Sequence, residues 1–379
     1  MHMKNPFVFG KIATGDAFID REKEKKHLFD NFSSGINTII ISPRRWGKSS
    51  LVAVTAELFQ KTNKSVRFCF LDLFNVRSEF EFYSYLIKEI LKISFTRWEE
   101  MFNSAKTLFK QITPKFNIGI DPNSSFSVSL DWNEIKKSPE EILNLPEVIS
   151  KKKNIRIIVC LDEFQNISFF DDALAFQKKL RAHWQHHKIA SYCLYGSKRH
   201  MMTELFEDKS MPFYKFGDVM FLDKIPESYW IEFIVRSFEK TKKQINEEIA
   251  KRIAQTMENH PYFVQQLSHV VWNLTEKICT EKELNSAIDE LLTQHNILFQ
   301  REVDNLTNSQ VNFLKALCKG VKHFSSYNTL REYQLGTSGN VNRIKSALLK
   351  KEIIDITPNN IEFTDPLFKL WFSKIYLNV

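Results

Sequence analysis

The sequence lacks the long apolar segments that membrane-spanning and secreted proteins carry. No run of about 18 apolar residues occurs, and the start, Met1–Lys4, lacks the apolar core of a signal peptide. The five cysteines are scattered, and no C-x-x-C pair or Cys/His cluster is present. We therefore expect a cytoplasmic protein with free thiols, no membrane contact and no structural metal.

Glycine is also scarce, at 10 of 379 residues, whereas Phe is frequent at 33. A hydrophobic content of 43% and a charged content of 26% are typical of globular proteins, and the length allows two or three domains. The net charge of +8 permits an anionic partner but does not require one.

One short segment predicts a phosphate-binding loop. Residues Ser42–Ser49 follow the apolar run Thr38–Ile41, a predicted strand, and precede a predicted helix that begins near Ser50. In a P-loop in this context, backbone N–H groups and the helix dipole attract phosphate. We expect Lys48 to reach the β- and γ-phosphates and the Ser49 hydroxyl to bind Mg²⁺. The candidate nucleotide-binding residues of the loop are Pro43, Arg44, Arg45, Trp46, Gly47, Lys48, Ser49 and Ser50.

The loop departs from the usual pattern at its first position, where Ser42 replaces glycine. Glycine tolerates positive φ without cost, whereas serine does not. Pro43 favours an extended conformation at the preceding residue. We therefore expect a loop that does not need positive φ at Ser42.

Another predicted strand ends in two carboxylates, Asp162 and Glu163. In an open α/β sheet the ligand lies beyond the carboxyl ends of the strands, where the phosphate loop also lies. Asp162 is therefore a candidate for the Mg²⁺ shell, and Glu163 for orienting and deprotonating a water. Two solvated carboxylates without a role are the alternative.

Further candidates lie at the end of the next predicted strand, Ser191–Ser197, and elsewhere in the chain. Ser197 is expected to bond the attacking water or the γ-phosphate, although a simple turn serine is the alternative. Arg199 is the first candidate for stabilising transition-state charge, and Arg181 is the second. His260 has no triad or metal partner in the sequence, so we expect the helix-start Pro261 to shape a nucleotide-facing turn instead.

The order of elements predicts three domains. Strands alternate with helices in residues 1–223, which indicates a parallel sheet with helices on both faces. Alternating apolar residues at about 114–132 predict an inserted hairpin. The pattern of residues 224–303 predicts an all-α lid. In residues 304–379, three helices and a hairpin are the elements of a winged helix.

The winged helix raises the question of DNA binding. Its third helix carries basic residues on or just after it, but few side chains suited to base edges. A protein-interaction or autoinhibitory role is the alternative for this domain. The basic residues are Arg343, Lys345, Lys350 and Lys351.

Together these motifs resemble the archaeal-type ATPase family, a branch of the STAND nucleotide switches close to AAA+ proteins. More narrowly, the chain resembles bacterial members that begin Asn-Pro-Phe, here Asn5–Phe7, and carry Pro-Arg-Arg-x-Gly-Lys-[Ser/Thr]-Ser-Leu, here Pro43–Leu51. The other segments that carry the resemblance are Phe18–Glu22, Leu161–Gln165, Gly196–Ser197, Pro212–Tyr214, His260–Tyr262 and Thr364–Phe368.

The resemblance implies an ATP-binding protein that uses ATP/ADP and Mg²⁺, hydrolyses ATP slowly and switches conformation with the nucleotide. It also implies that the leader, through Ile19 and Arg21, lies against the adenine and that Pro261 contacts the nucleotide. An unidentified protein partner is expected. Two other functions stay open at this stage: a nucleotide-tuned DNA-binding regulator, and an interaction scaffold that holds ADP permanently.

Overall fold

A computed structural model of the chain describes residues 4–94, 139–357 and 360–378. The chain divides into two compact units. Unit 1 comprises the leader up to Asp20, the loop residues Arg44–Gly47, and the chain from Lys224 onwards, whereas unit 2 comprises Arg21–Pro43 and Lys48–Asp223. The predicted hairpin at about 114–132 lies outside the described residues. Among those described, no helix is both long enough and apolar enough to cross a membrane.

Unit 2 is built on a five-stranded parallel sheet with strand order β2-β3-β4-β1-β5. Its strands are β1 (Thr38–Ile41), β2 (Val66–Asp72), β3 (Arg156–Asp162), β4 (Ser191–Gly196) and β5 (Asp218–Phe221). Its helices among the described residues are α1 (Glu22–Ser34), α2 (Lys48–Thr62), α3 (Glu79–Ser94), α4 (Pro139–Leu143), α5 (Leu145–Lys153), α6 (Ala173–Trp184) and α7 (Arg199–Glu207). This confirms the predicted parallel sheet of an α/β P-loop fold.

The central strands are apolar because they are buried along their length. Every residue of β1 and of β4 is buried, which is typical of strands in a parallel sheet covered on both faces. Ile41 pairs with Gly196, and Leu161 pairs with Leu194. The carboxyl ends of β1, β4 and β3 therefore meet at one edge of the sheet, with β4 in the middle.

Two groups of elements in unit 2 are absent from the sequence-based expectations. The edge strand β5 has four residues, and only Met220 is buried, so it shows neither a continuous apolar run nor a clear alternation. The short helices α4 and α5 are separated by Asn144 alone and also carry weak periodicity.

Unit 1 contains the predicted helical segment. Its helices are α8 (Glu227–Lys240), α9 (Glu247–Thr256), α10 (Pro261–Leu274) and α11 (Glu281–Asp304). Asn246 and Thr280 cap two of them by accepting backbone N–H groups. The leader packs against this bundle, because Phe7 is 3% exposed and lies 5.7 Å from Phe233 between ring centroids. Asn5 Nδ2 also donates to the backbone oxygen of His269 at 3.0 Å.

The C-terminal part of unit 1 is a winged helix, as predicted. It contains α12 (Asn308–Cys318), α13 (Tyr327–Glu332) and α14 (Ser338–Lys350), followed by antiparallel strands β6 (Ile354–Thr357) and β7 (Asn360–Phe363). A helix absent from the predictions, α15 (Pro366–Trp371), closes the domain and buries Trp371 completely. The domain boundaries at 223/224 and 303/304 remain predictions.

Candidate nucleotide-binding site

The phosphate loop connects β1 to α2, as its sequence context predicts. Lys48 is the first residue of α2 and is only 5% exposed. Its ammonium group donates to the backbone oxygens of Ser42 at 3.2 Å and Pro43 at 3.1 Å. The side chain therefore folds back over its own loop, and its contact with a bound phosphate stays a prediction.

Ser42 replaces the usual glycine without a backbone penalty. It is fully buried, its φ is not positive, and its Oγ donates to the backbone oxygen of Pro43 at 3.3 Å. The left-handed conformations of the loop fall instead on Arg45, with φ 64°, and on Gly47, with φ 89°. The expectation that this loop needs no positive φ at Ser42 is confirmed.

Ser49 and Asp162 form the oxygen pair expected of a Mg²⁺ site. The Ser49 hydroxyl donates to Asp162 Oδ2 at 2.6 Å. Burial raises the pKa of Asp162 to about 6; the bond from Ser49 and the charge of Lys48 oppose this rise, and the charge of Glu163 adds to it. A hydroxyl and a carboxylate fit Mg²⁺, which takes few protein ligands and completes its shell with phosphate oxygens and water. Cation binding here would release a proton from Asp162 at pH values near and below 6.

Glu163 directly follows Asp162 and turns sharply away from the strand. Its φ is 51°, a left-handed conformation that is uncommon outside glycine. The turn brings its carboxylate to β4, where the Ser197 hydroxyl donates to Glu163 Oε2 at 2.7 Å. The structure therefore brings Ser197 and Glu163 together, and the Ser197 proton points at the carboxylate.

Gln165 makes a contact for which sequence reasoning provided no role. Its Nε2 donates to Glu163 Oε2 at 2.5 Å, and its side chain is completely buried. In the sequence, Gln165 stands out only as part of the segment that resembles the family. No sequence signal indicates which side chain its carboxamide meets.

The loop residues Arg44–Gly47 belong to unit 1 and contact other residues of it. Arg44 Nε forms an ion pair with Glu352 at 3.2 Å. The guanidinium of Arg45 lies 4.4 Å from the ring centroid of Tyr262, a cation–π contact. The two arginines therefore make packing contacts within unit 1, and a role of either in nucleotide binding stays a prediction.

Trp46 packs against His260, the residue that precedes α10. Trp46 is 6% exposed, His260 is 4% exposed, and their ring centroids lie 6.0 Å apart. Burial and the positive charges of Lys224 and Arg45 lower the pKa of His260 to about 3. His260 is therefore neutral at physiological pH. Pro261 occupies the first turn of α10, as predicted.

The remaining candidates lie on different elements of the two units. Ile19 packs partly buried against the core of unit 1. Arg21, in unit 2, is 4% exposed and pairs with Glu24 at 2.7 Å. Arg199 begins α7, two residues after Ser197, whereas Arg181 lies 5.0 Å from the ring of Phe216. A role for any of these residues in nucleotide binding or catalysis stays a prediction.

The fold and the phosphate loop are those of a P-loop ATPase-like fold with a C-terminal winged helix. A family model described as Predicted AAA-ATPase matches residues 9–190, and one described as a probable winged helix domain matches residues 297–374. Over the residues that the first model matches, the chain is similar to this AAA-ATPase family. The narrower bacterial branch stays a prediction. Among curated proteins, no sequence matches the chain.

Solved structures show the same fold at low identity. The Walker-type ATPase of Pyrococcus abyssi has a TM-score of 0.68 and 17% identity, over 97% of this chain and 99% of that chain. The Aeropyrum pernix ORC2 protein, in ADPNP-ADP complexes, has a TM-score of 0.56 and 13% identity, over 100% and 98%. The Aeropyrum pernix ORC1 protein, in complex with DNA, has a TM-score of 0.50 and 10% identity, over 96% and 95%.

The buried neutral His260 predicts a loss of stability in acid. Its folded-state pKa of about 3 lies below the ordinary value of 6.5, so the unfolded chain binds more protons between these values. Stability is unaffected above pH 6.5 and decreases as the pH falls towards 3. At pH 5 the expected cost is about 2 kcal/mol. Urea unfolding at pH 7.5 and pH 5 should show that this loss is absent in His260→Phe.

A matched control is His323→Phe, because His323 is exposed. That variant should keep the wild-type dependence on pH. Equal losses of stability in wild type and His260→Phe would contradict the assignment of a buried neutral imidazole.

Proposed function

We propose that this protein binds ATP with Mg²⁺, hydrolyses it slowly, and changes conformation with the nucleotide it holds. The observation that carries the proposal is the hydrogen bond between Ser49 and Asp162, because it links the phosphate loop to the acidic end of β3. The similar folds of the Pyrococcus abyssi ATPase and the Aeropyrum pernix ORC2 protein support it, and the ORC2 protein was solved with ADPNP and ADP.

In the proposed reaction a water attacks the γ-phosphate in line with the leaving oxygen. Lys48 neutralises charge on the β- and γ-phosphates, and Glu163 orients the water and accepts its proton. Ser49 and Asp162 would hold Mg²⁺, and a bound Mg²⁺ would neutralise the charge that develops on the phosphate. Arg199 is the first candidate for a further positive charge near the γ-phosphate.

The switch is part of the same proposal. A nucleotide can shift a conformational equilibrium only through contacts that differ between its two forms. A γ-phosphate, present in ATP and absent in ADP, would make such contacts with Lys48 and Glu163. We also propose that Ile19 and Arg21 contact the adenine and that Pro261 contacts the nucleotide. The classification as a STAND-type switch is part of the same proposal.

We also propose a cytoplasmic location and a protein partner. The five cysteines are all unpaired and four of them are buried, which suits a reducing compartment. The partner is proposed from the family resemblance alone.

Glu163→Gln should lower kcat for ATP hydrolysis about 100-fold, because the amide cannot accept the proton of the attacking water. Affinity for ATP should stay within about twofold of wild type, since the substitution keeps the shape of the side chain. Phosphate release under single-turnover conditions and equilibrium ATP binding measure the two quantities.

The control is Glu57→Gln on the exposed surface of α2, which should match wild type. Equal phosphate release by wild type and Glu163→Gln would favour the alternative of a scaffold that holds ADP and seldom turns over.

DNA binding is the second candidate function, favoured by the basic surface of α14. Arg343 and Lys350 are both exposed on this helix, beside Asn342 and Ser346 in a shallow surface depression. The other two basic residues are engaged within the domain. The Lys345 ammonium lies 5.6 Å from the ring of Phe324, and the Lys351 ammonium donates to the backbone oxygen of Asn305. The Aeropyrum pernix ORC1 protein of similar fold was solved with DNA.

If α14 binds duplex DNA, the double variant Arg343→Ala/Lys350→Ala should weaken binding and reduce the salt slope of log K by about 2, one for each phosphate that is no longer neutralised. Fluorescence anisotropy from 50 to 200 mM salt measures both. Lys282→Ala, in the exposed first turn of α11, is the control and should leave the slope unchanged. A wild-type affinity that does not change with salt would exclude this function.

A further inference from the structure

Gln165 is a buried polar residue that lies outside the phosphate loop. It lies in the short 3₁₀ turn Phe164–Phe169 that follows β3 and is 0% exposed. Its Nε2 donates to Glu163, whereas its Oε1 is buried and has no hydrogen-bond partner among the described residues. Burying an unpaired carbonyl is unfavourable, and an apolar side chain of the same length would avoid that cost.

The space for this carboxamide exists because β4 ends in glycine. A Cβ at Gly196 would come within 2.0 Å of Gln165 Oε1 and within 2.6 Å of the Met202 sulfur. Gly196 does not have positive φ, so backbone conformation does not explain it. The close approach of the Gln165 side chain to the strand explains why this position is a glycine.

The Gln165 carboxamide and the Ser197 hydroxyl donate hydrogen bonds to the same atom. Glu163 Oε2 accepts from Gln165 Nε2 at 2.5 Å and from Ser197 Oγ at 2.7 Å. Among the residues that the structure describes, none donates to Glu163 Oε1. The two donors approach from different elements, the 3₁₀ turn and the end of β4. Together they fix the orientation of the carboxylate, and they leave Oε1 as the oxygen available to a water.

We propose that Gln165 is a positioning residue that holds the Glu163 carboxylate, together with Ser197, so that Oε1 accepts the attacking water. The proposal rests on the function proposed above and adds a residue to it. Gln165 itself touches no reacting atom. Its effect on the rate comes through the orientation of Glu163, because small displacements of a catalytic group have large effects on the rate.

The first test is a double-mutant cycle that uses Gln165→Met, which keeps the length of the side chain and removes the donor. In the wild-type background we expect kcat for ATP hydrolysis to fall about tenfold, with KM for ATP within about twofold. In the Glu163→Gln background the same substitution should change kcat by less than about twofold, because the group that it positions is already absent.

The matched control is Gln177→Met in α6. Gln177 is also buried, at 2% exposure, and its Oε1 also has no partner among the described residues. This variant should keep wild-type kcat. A tenfold loss from Gln165→Met in both backgrounds, or no loss in the wild-type background, would overturn the positioning role while leaving the proposed ATPase intact.

A second measurement is independent of turnover. The side-chain amide signal of Gln165 can be assigned in ¹⁵N-labelled protein by its absence in Gln165→Met, or by selective labelling. We expect its hydrogen-bonded proton to move upfield in Glu163→Ala. An unchanged signal would overturn the inference even if Glu163 is catalytic. A shifted signal together with an inactive wild type would support the contact and reject the proposed ATPase.

Discussion

The hydrogen bond from Ser49 to Asp162 is the interaction on which the candidate site depends. It joins the first turn of α2 to the end of β3, although the two residues are 113 positions apart in the sequence. The bond is possible because β1 and β3 run parallel on either side of β4, so that their carboxyl ends meet at the same edge. The partly buried Asp162 gains a hydrogen-bond donor, and the bond brings together a hydroxyl and a carboxylate, two groups that suit a hard cation.

Glu163, the residue after Asp162, is the proposed base for the attacking water. The left-handed conformation of Glu163 turns its side chain from β3 towards β4. There the hydroxyl of Ser197 and the carboxamide of Gln165 hold one carboxylate oxygen. Backbone strain at such a position is tolerated when its surroundings fix it. The glycine at the end of β4 then has a steric explanation, since Gln165 occupies the place of its missing side chain.

Much of this arrangement could be predicted from the sequence because buried parallel strands are apolar runs with polar residues at their ends. The runs before Ser42, Asp162 and Ser197 therefore located the strands and the candidate residues together. The contacts between side chains could not be predicted, because a strand order gives proximity but not donors and acceptors. The pairing of Ser197 with Glu163 and the cation–π contact of Arg45 with Tyr262 are of this kind. The edge strand β5 has only one buried residue and so carries no pattern to recognise.

The most direct test of the central claim is ATP binding to wild type and to Asp162→Asn, measured by calorimetry with Mg²⁺ and again with EDTA. If Ser49 and Asp162 hold the cation beside the phosphate loop, wild type binds ATP more tightly with Mg²⁺ than with EDTA. Asp162→Asn loses that difference, because the amide has no charge to hold the ion. Equal affinity of wild type for ATP with Mg²⁺ and with EDTA, or a full Mg²⁺ effect in Asp162→Asn, would contradict the account.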